Sequence, residues 1–568
     1  MGRTQLPAWA TLDNQASHKQ TSEDTNTRVR GLETSVANLA NNMAGARVGQ
    51  LGGVYEATKR IDAENNKVRI KWRDPKNTVI GGYSVAEWKE TWVLKKSDSA
   101  PANIYDGTLV VKTTTHNQYA TTWFEDDEAD GENMVYRAFT VATNGFINAS
   151  ERGIFKEYVL YGFEIDESDS DETTCVTYTE DCAGFDPLYV DFSVTESDSD
   201  ATVTAPSGAC HWGDWKDAFF MPKPCMLTRE GVVDYYLDPE NNYFKADGVT
   251  ASDITNTSYD SNAMMEFPSV FVKVVRENGK LKVWFSNAKV DENFECFSTK
   301  KSDGTYADSF YMPIFEGTNV SNRLRSIIPN ATTKPYASSN STTELAYARN
   351  NGTGWSTTTW ADEDLLRMLG ILVTRRLDMQ SAIAGNPGES PSALTNNVGT
   401  GARKGLFYGH EGTSAINTKF FGLENWWGHR WRRPQGCNLI NGKLYVKNTK
   451  STIDGSTATD FITSDTAADY TAGYIDTGIT VATNWSESFI TQLTGIKGCM
   501  AAPKTAGGAG SSATFFCDAT WSASGVRCLP CGGSVNHGVR AGLFASYLAN
   551  APSNAWWGYG ASLSYHAS

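Results

Sequence analysis

At 568 residues the chain is long enough for several domains. With 40% hydrophobic and 20% charged residues it reads as globular, not disordered. A net charge of -15 argues against nucleic acid or an anionic membrane surface as partner, and no apolar run is long enough to insert in a bilayer.

The first thirteen residues contain no apolar signal core, so we expect no signal peptide and synthesis in a cytoplasm. Val29, Leu32, Val36, Leu39, Met43 and Ala46 then recur at spacings of three and four. That is the seam of a short coiled coil, and residues 1–50 are expected to oligomerise and attach the chain. Val at one seam position with Leu at the other leans towards two strands.

Residues 51–152 read as a small β-sandwich. Val68–Trp72, Glu87–Leu94, Thr108–Val111, Tyr119–Phe124 and Tyr136–Val141 are its expected strands, closed by a Thr143-Asn144-Gly145 turn. A core Trp on the Glu87–Leu94 strand, and a Tyr136-x-x-Phe139 strand ending in Asn-Gly, resemble a fibronectin type III module. Such a module implies a spacer.

Residues 153–340 form a β-rich body leading into residues 341–568. Two acidic runs, Asp166–Asp171 and Glu196–Asp200, lack the spacing of a calcium loop and read as solvated turns. A helix is expected over Asp362–Arg376, with Asp362 as N-cap and Trp360-Ala361 as a hydrophobic staple. Gly422–Arg433, rich in Trp and Gly, reads as a core strand.

Chemical motifs are sparse. Cys528-Leu-Pro-Cys531 lacks the second pair of a zinc ribbon, and Gly532-Gly533 stand where a redox pair needs a helix N-terminus. It reads as a tight turn with buried thiols. His410, Glu411 and His429 make no metal triad, and no nucleophile motif or phosphate loop occurs. No catalytic residue, metal or cofactor is expected, and the chain is read as a binding protein rather than an enzyme.

The last forty residues carry the strongest signal. Gly532-Gly533-Ser534, Ala541-Gly542-Leu543-Phe544, Asn550-Ala-Pro-Ser-Asn554 and Gly560-Ala-Ser-Leu-Ser-Tyr565 alternate with clusters of Asn, Ser, Tyr, Trp and His. Gly permits tight backbone, and Tyr, Trp, Ser and Asn are the residues of adaptable binding loops. This stretch resembles the variable region of proteins diversified by diversity-generating retroelements, phage tropism determinants among them. The Gly422–Arg433 segment resembles the core of lectin-like and formylglycine-generating folds.

The first resemblance implies a C-type lectin-like fold in a phage tail-fibre receptor-binding protein, trimeric and carried on the virion. It would contact a host cell-surface protein or glycan, and other tail proteins through its N-terminus. The constant frame would be Gly532, Gly533, Ala541, Gly542, Phe544, Asn554, Gly560, Ala561, Leu563 and Ser564. The displayed, exchangeable positions would be Val535, Asn536, His537, Val539, Ser546, Tyr547, Ala549, Ala555, Trp556, Gly558 and Tyr559. Beneath them, Leu543, Phe544, Leu563 and the Trp426–Trp431 cluster would be buried.

Two rivals remain. One is a fixed glycan-binding lectin without diversification. The other is an oxidase of the formylglycine-generating type using Cys528 and Cys531, although Gly560-Ala561-Ser562 replaces the usual Arg-containing closing strand. The fold class expected throughout is mostly β, with an α+β C-terminal part.

Overall fold

The computed structural model describes residues 50–566 except 63–64, 81–82, 121, 170, 192–209, 302–303, 386–395, 410–416, 448–474 and 508–515. The coiled-coil seam, the second acidic run, and His410 with Glu411 lie outside the described residues. The chain is mostly β-sheet with few helices. It divides into two compact units, Met1–Tyr158 and Val159–Ser568.

The first unit holds two four-stranded sheets. One runs in the spatial order Lys156–Glu157, Tyr55–Asp62, Lys67–Arg73, Phe124–Asp127. The other runs Thr108–Thr113, Trp88–Ser97, Met134–Ala142, Ile147–Asn148. Alternation along Lys67–Arg73 buries Val68, Ile70 and Trp72, which pack with Val93 and Tyr136. The wholly buried Trp is therefore Trp72, whereas Trp88 and Trp92 of the expected core strand are only half-buried. Trp72 satisfies its indole by donating to Asp74 at 3.0 Å. Tyr119 is not in a strand; that edge begins only at Phe124.

In the second unit a six-stranded sheet runs Val233–Tyr236, Lys223–Thr228, Ser261–Pro268, Ser309–Pro313, Ser564–His566, Trp355–Ser356. Its strands come from both sides of residue 340. One hydrophobic core likewise joins Phe163, Met265 and Phe315 to Leu366, Trp427 and Phe544. Residues 153–340 and 341–568 thus share a sheet and a core, so no domain boundary falls at 340.

The helix Trp360–Thr374 is buried on every side. Its N-cap is Thr359, not Asp362: the Thr359 side chain accepts from the Asp362 N–H at 3.3 Å, and Asp362 accepts from the Thr359 N–H at 3.2 Å. Asp362 is the third helical residue of a capping box, and Trp360 lies inside the helix rather than ahead of it. Charge buried in such a helix must be paired and hydrogen-bonded. Arg367 is fully buried, donating to Glu363 at 3.3 Å and to the Ala501 carbonyl at 3.0 Å.

Two further four-stranded sheets carry the site. One is Ile475–Thr480, Lys443–Val446, Cys437–Ile440, Val526–Cys528; the other is Pro503–Gly507, Ser488–Leu493, Ala519–Ser522, Ser546–Leu548. Trp426–Arg433 is not a regular strand. It is irregular buried backbone tied by single bridges, His429 to Ser534, Trp431 to Tyr559 and Arg432 to Cys531.

Candidate functional site

Strand alternation places the first aromatic wall. In Ser546–Leu548, Ser546 and Leu548 point inward, leaving Tyr547 outward and half-buried. Ala519–Ser522 pairs with it in parallel, with Trp521 opposite Tyr547, and the two rings stack at 5.1 Å. Trp431 lies edge-on to both, at 6.1 Å from Trp521 and 5.6 Å from Tyr547. Hydrogen bonds from the Trp431 N–H to the Gly558 carbonyl (2.8 Å) and from the Gly560 N–H to the Trp431 carbonyl (3.0 Å) bring the Trp556–Tyr559 turn against it.

The second wall is the 3-10 turn Val535–Arg540. Its seat is Gly533, whose backbone has φ +77 and whose Cβ position would lie 2.6 Å from the Ala541 methyl. The Ser534 N–H donates to His537 Nδ1 at 3.1 Å, fixing the ring edge-on to Trp431 and Trp521 at 5.0 and 5.1 Å. Burial pushes the His537 imidazole below its usual pKa, so it is neutral at pH 7.

Between the walls lies an open cleft of about 440 Å³. Trp431, Trp521, His537, Tyr547, Trp556 and Tyr559 form its apolar lining, and Asn536, Asn550, Asn554, Glu487 and Arg540 its polar one. Arg540 pairs with Glu487, so the two rim charges cancel.

Of the eleven positions expected to be displayed, Asn536, His537, Tyr547, Trp556 and Tyr559 line this one cleft. Val539 is 67% exposed, Ala555 is exposed and Ala549 half-exposed, all outside its lining. Val535, Ser546 and Gly558 are buried and are corrected to scaffold positions. Val535 opens the turn, its N–H bonded to the His429 carbonyl; Ser546 faces inward and accepts from Arg367 at 3.3 Å. A Cβ at Gly558 would meet the Trp556 ring at 2.4 Å. Tyr559 is nearly covered and forms the floor, held by Asn550 and by the Arg433 guanidinium 4.5 Å above its ring.

The expected frame is buried at Gly532, Gly533, Ala541, Gly542, Phe544, Gly560, Ala561, Leu563 and Ser564. Asn554 is the exception. It is exposed, lines the cleft, and its amide donates to Asn550 Oδ1 at 3.3 Å. The turn 551–554 carries it outward, so it belongs to the displayed set. Gly542 is required sterically, since a Cβ there would lie 1.8 Å from the Asp518 carboxyl. Asp518 in turn accepts from the Phe544 N–H at 2.7 Å.

Sequence reasoning missed Trp431, Glu487, Trp521, Arg540 and Asn550 as cleft residues. Trp521 was legible in principle as the large ring of a Thr-Trp-Ser strand. Leu543, Phe544, Leu563, Trp426, Trp427 and Trp431 are all buried as expected. Trp431 does double service, packed in the core and facing the cleft.

Cys528 and Cys531 are free, buried and absent from the cleft lining. Burial pushes the Cys528 thiol up to about 11 and Cys531 higher still. That is the opposite of the depressed pKa a reactive thiol needs. His429 is buried and bound to Glu316 at 2.7 Å. Among the described residues no His, Cys, Asp or Glu group is arranged to hold a metal, and no helix is long and apolar enough to cross a membrane. The described acidic run is self-satisfied: Asp166 accepts from Ser168, and Asp171 from Thr173.

No protein-family model matches the chain, and comparison with curated proteins finds no match.

Proposed function

We propose that this chain is a receptor-binding protein of a phage tail-fibre tip. In this reading a C-type lectin-like scaffold displays side chains diversified by a retroelement. One observation carries it. Five positions expected to vary, spread over residues 536–559, converge on one cleft, while all but one of the expected frame residues are buried. A scaffold built this way lets the exposed side chains change with little loss of stability. The mechanism is binding, not turnover, and the protonated Cys528 and Cys531 thiols weigh against the oxidase alternative.

The first unit, with its two four-stranded sheets, serves as a fibronectin type III-like spacer in this reading. In this reading the N-terminal segment, which lies outside the described residues, serves to trimerise the protein and join it to other tail proteins on the virion. Three sites per trimer raise a weak single-site affinity by roughly a hundredfold or more.

The test is the DNA around the gene. A reverse transcriptase nearby, with a near-copy of the last codons differing at adenines, is expected. Its absence, together with unchanged host adsorption after randomising positions 536, 537, 547, 556 and 559, would overturn the reading.

A further inference from the structure

We infer that the cleft binds an uncharged sugar residue without a metal ion, taking one pyranose ring of a host surface glycan. The inference rests on the receptor-binding reading and names its ligand class.

Three observations converge on it. The first is charge. Among the described residues, the only ionised side chains lining the cleft are Arg540 and Glu487, and they pair with each other. Partial burial of His537 disfavours a charge on its ring. An anionic ligand would have to break that ion pair to find a partner, and a cationic one would meet no spare carboxylate.

The second is the set of open polar groups. His537 Nδ1 is held by the Ser534 backbone and hydroxyl at 3.0–3.2 Å, while Nε2 has no partner among the described residues. The Tyr547 hydroxyl and the Asn536 side-chain amide make no hydrogen bond with the described residues either. Donors and acceptors of both senses, scattered around a ring-sized space, match the hydroxyls of a sugar, each of which can donate and accept.

The third is the aromatic lining. Six rings surround about 440 Å³, room for one or two sugar rings. A pyranose has an apolar C–H face that packs on aromatic rings while its hydroxyls reach the polar rim. Hard cations such as calcium take six to eight oxygen ligands, and this cleft offers one carboxylate, already paired.

The experiment uses the full chain and reads tryptophan fluorescence, which Trp521 and Trp556 report. The probes are methyl α-mannoside, methyl β-galactoside and N-acetylglucosamine, with glucuronic acid as the anionic comparison, each with and without EDTA. Saturable quenching by at least one neutral sugar, unchanged by EDTA and absent with glucuronic acid, is expected. Tyr547→Ala should weaken it about tenfold, the worth of one packed ring. Tyr547→Phe keeps the ring and should lose only the hydroxyl's share. Val249→Ala, on an exposed turn outside the cleft, should bind as the parent does. Near-ultraviolet circular dichroism of each variant separates lost binding from lost folding.

Host-cell adsorption distinguishes the two levels of failure. Adsorption that survives periodate oxidation of cell glycans but is lost on protease treatment overturns the sugar and keeps the receptor-binding reading. Quenching that requires calcium, or that glucuronic acid matches, also overturns the inference. The absence of both quenching and adsorption overturns both.

Discussion

Two arginine–glutamate pairs have the same chemistry and different surroundings. Arg367–Glu363 sits in the central helix with both side chains 0% exposed; Arg540–Glu487 sits beside the cleft at 36% and 44% exposed. The first is locked to backbone carbonyls and to Ser546, and it tolerates no change because neither charge can find water. The second is screened by solvent and contributes little. The contrast shows how one domain can be unforgiving underneath and permissive on top. Chemistry that would destabilise the interior is nearly free at the rim.

Breaking the interior pair gives the largest expected effect. Arg367→Ala leaves the buried Glu363 with Arg432 alone, at 3.2 Å, and strips its partners Ala501 and Ser546 of their donor; it should cost about 3 kcal/mol in chemical denaturation. An unchanged midpoint would show that the interior is not the rigid partner in the comparison. Gly542→Ala comes next, since its methyl must displace the Asp518 carboxyl; a loss of about 1–3 kcal/mol is expected, with a lowered Tm.

Asp518 adds a pH signature to the same region. Burial raises its pKa to about 8 from an ordinary 3.8. Oδ2 accepts from Phe544, while Oδ1 has no partner among the described residues, as suits a protonated carboxyl. The folded state therefore keeps a proton that the unfolded state gives up near pH 4. Stability from this group is fully present below about pH 4 and falls as pH rises towards 8. Asp518→Asn should remove that fall, so the Tm of the variant relative to the parent should increase with pH across this window. A constant difference would show that the carboxyl is ionised in the fold.

The smallest effects belong to the rim. Arg540→Ala should cost less than about 1 kcal/mol, and Val539→Ala or Ala555→Ser should fall within about 0.5 kcal/mol. A large loss at any of these would erase the distinction between the two regions.

Most strands and the central helix were legible because period-2 and period-3.6 patterns report one-sided burial. The helix start was misjudged by three residues because Asp362, a good N-cap type, is equally suited to the third position of a capping box. Trp426–Arg433 was misread as a strand because a fully buried segment has no alternation to reveal its irregular backbone. At the site, glycine spacing located the frame, yet it placed Ser546 on the display side and Asn554 beneath it. Only the pairing of Ser546–Leu548 with Ala519–Ser522 decides which way each side chain faces. Trp431 and Glu487 were missed because they join the cleft across long stretches of sequence, which no local pattern encodes.

The strand Ser564–His566 lies inside the six-stranded sheet, between Ser309–Pro313 and Trp355–Ser356, and His566 reaches Asp362 of the helix capping box at 3.0 Å. A stop codon arising anywhere upstream of it would remove an interior strand rather than trim an edge. Changes to the preceding stretch therefore have an all-or-nothing outcome: a frameshifted or truncated product lacks the strand that joins Ser309–Pro313 to Trp355–Ser356 and cannot assemble the sheet, whereas a product with changed side chains still can.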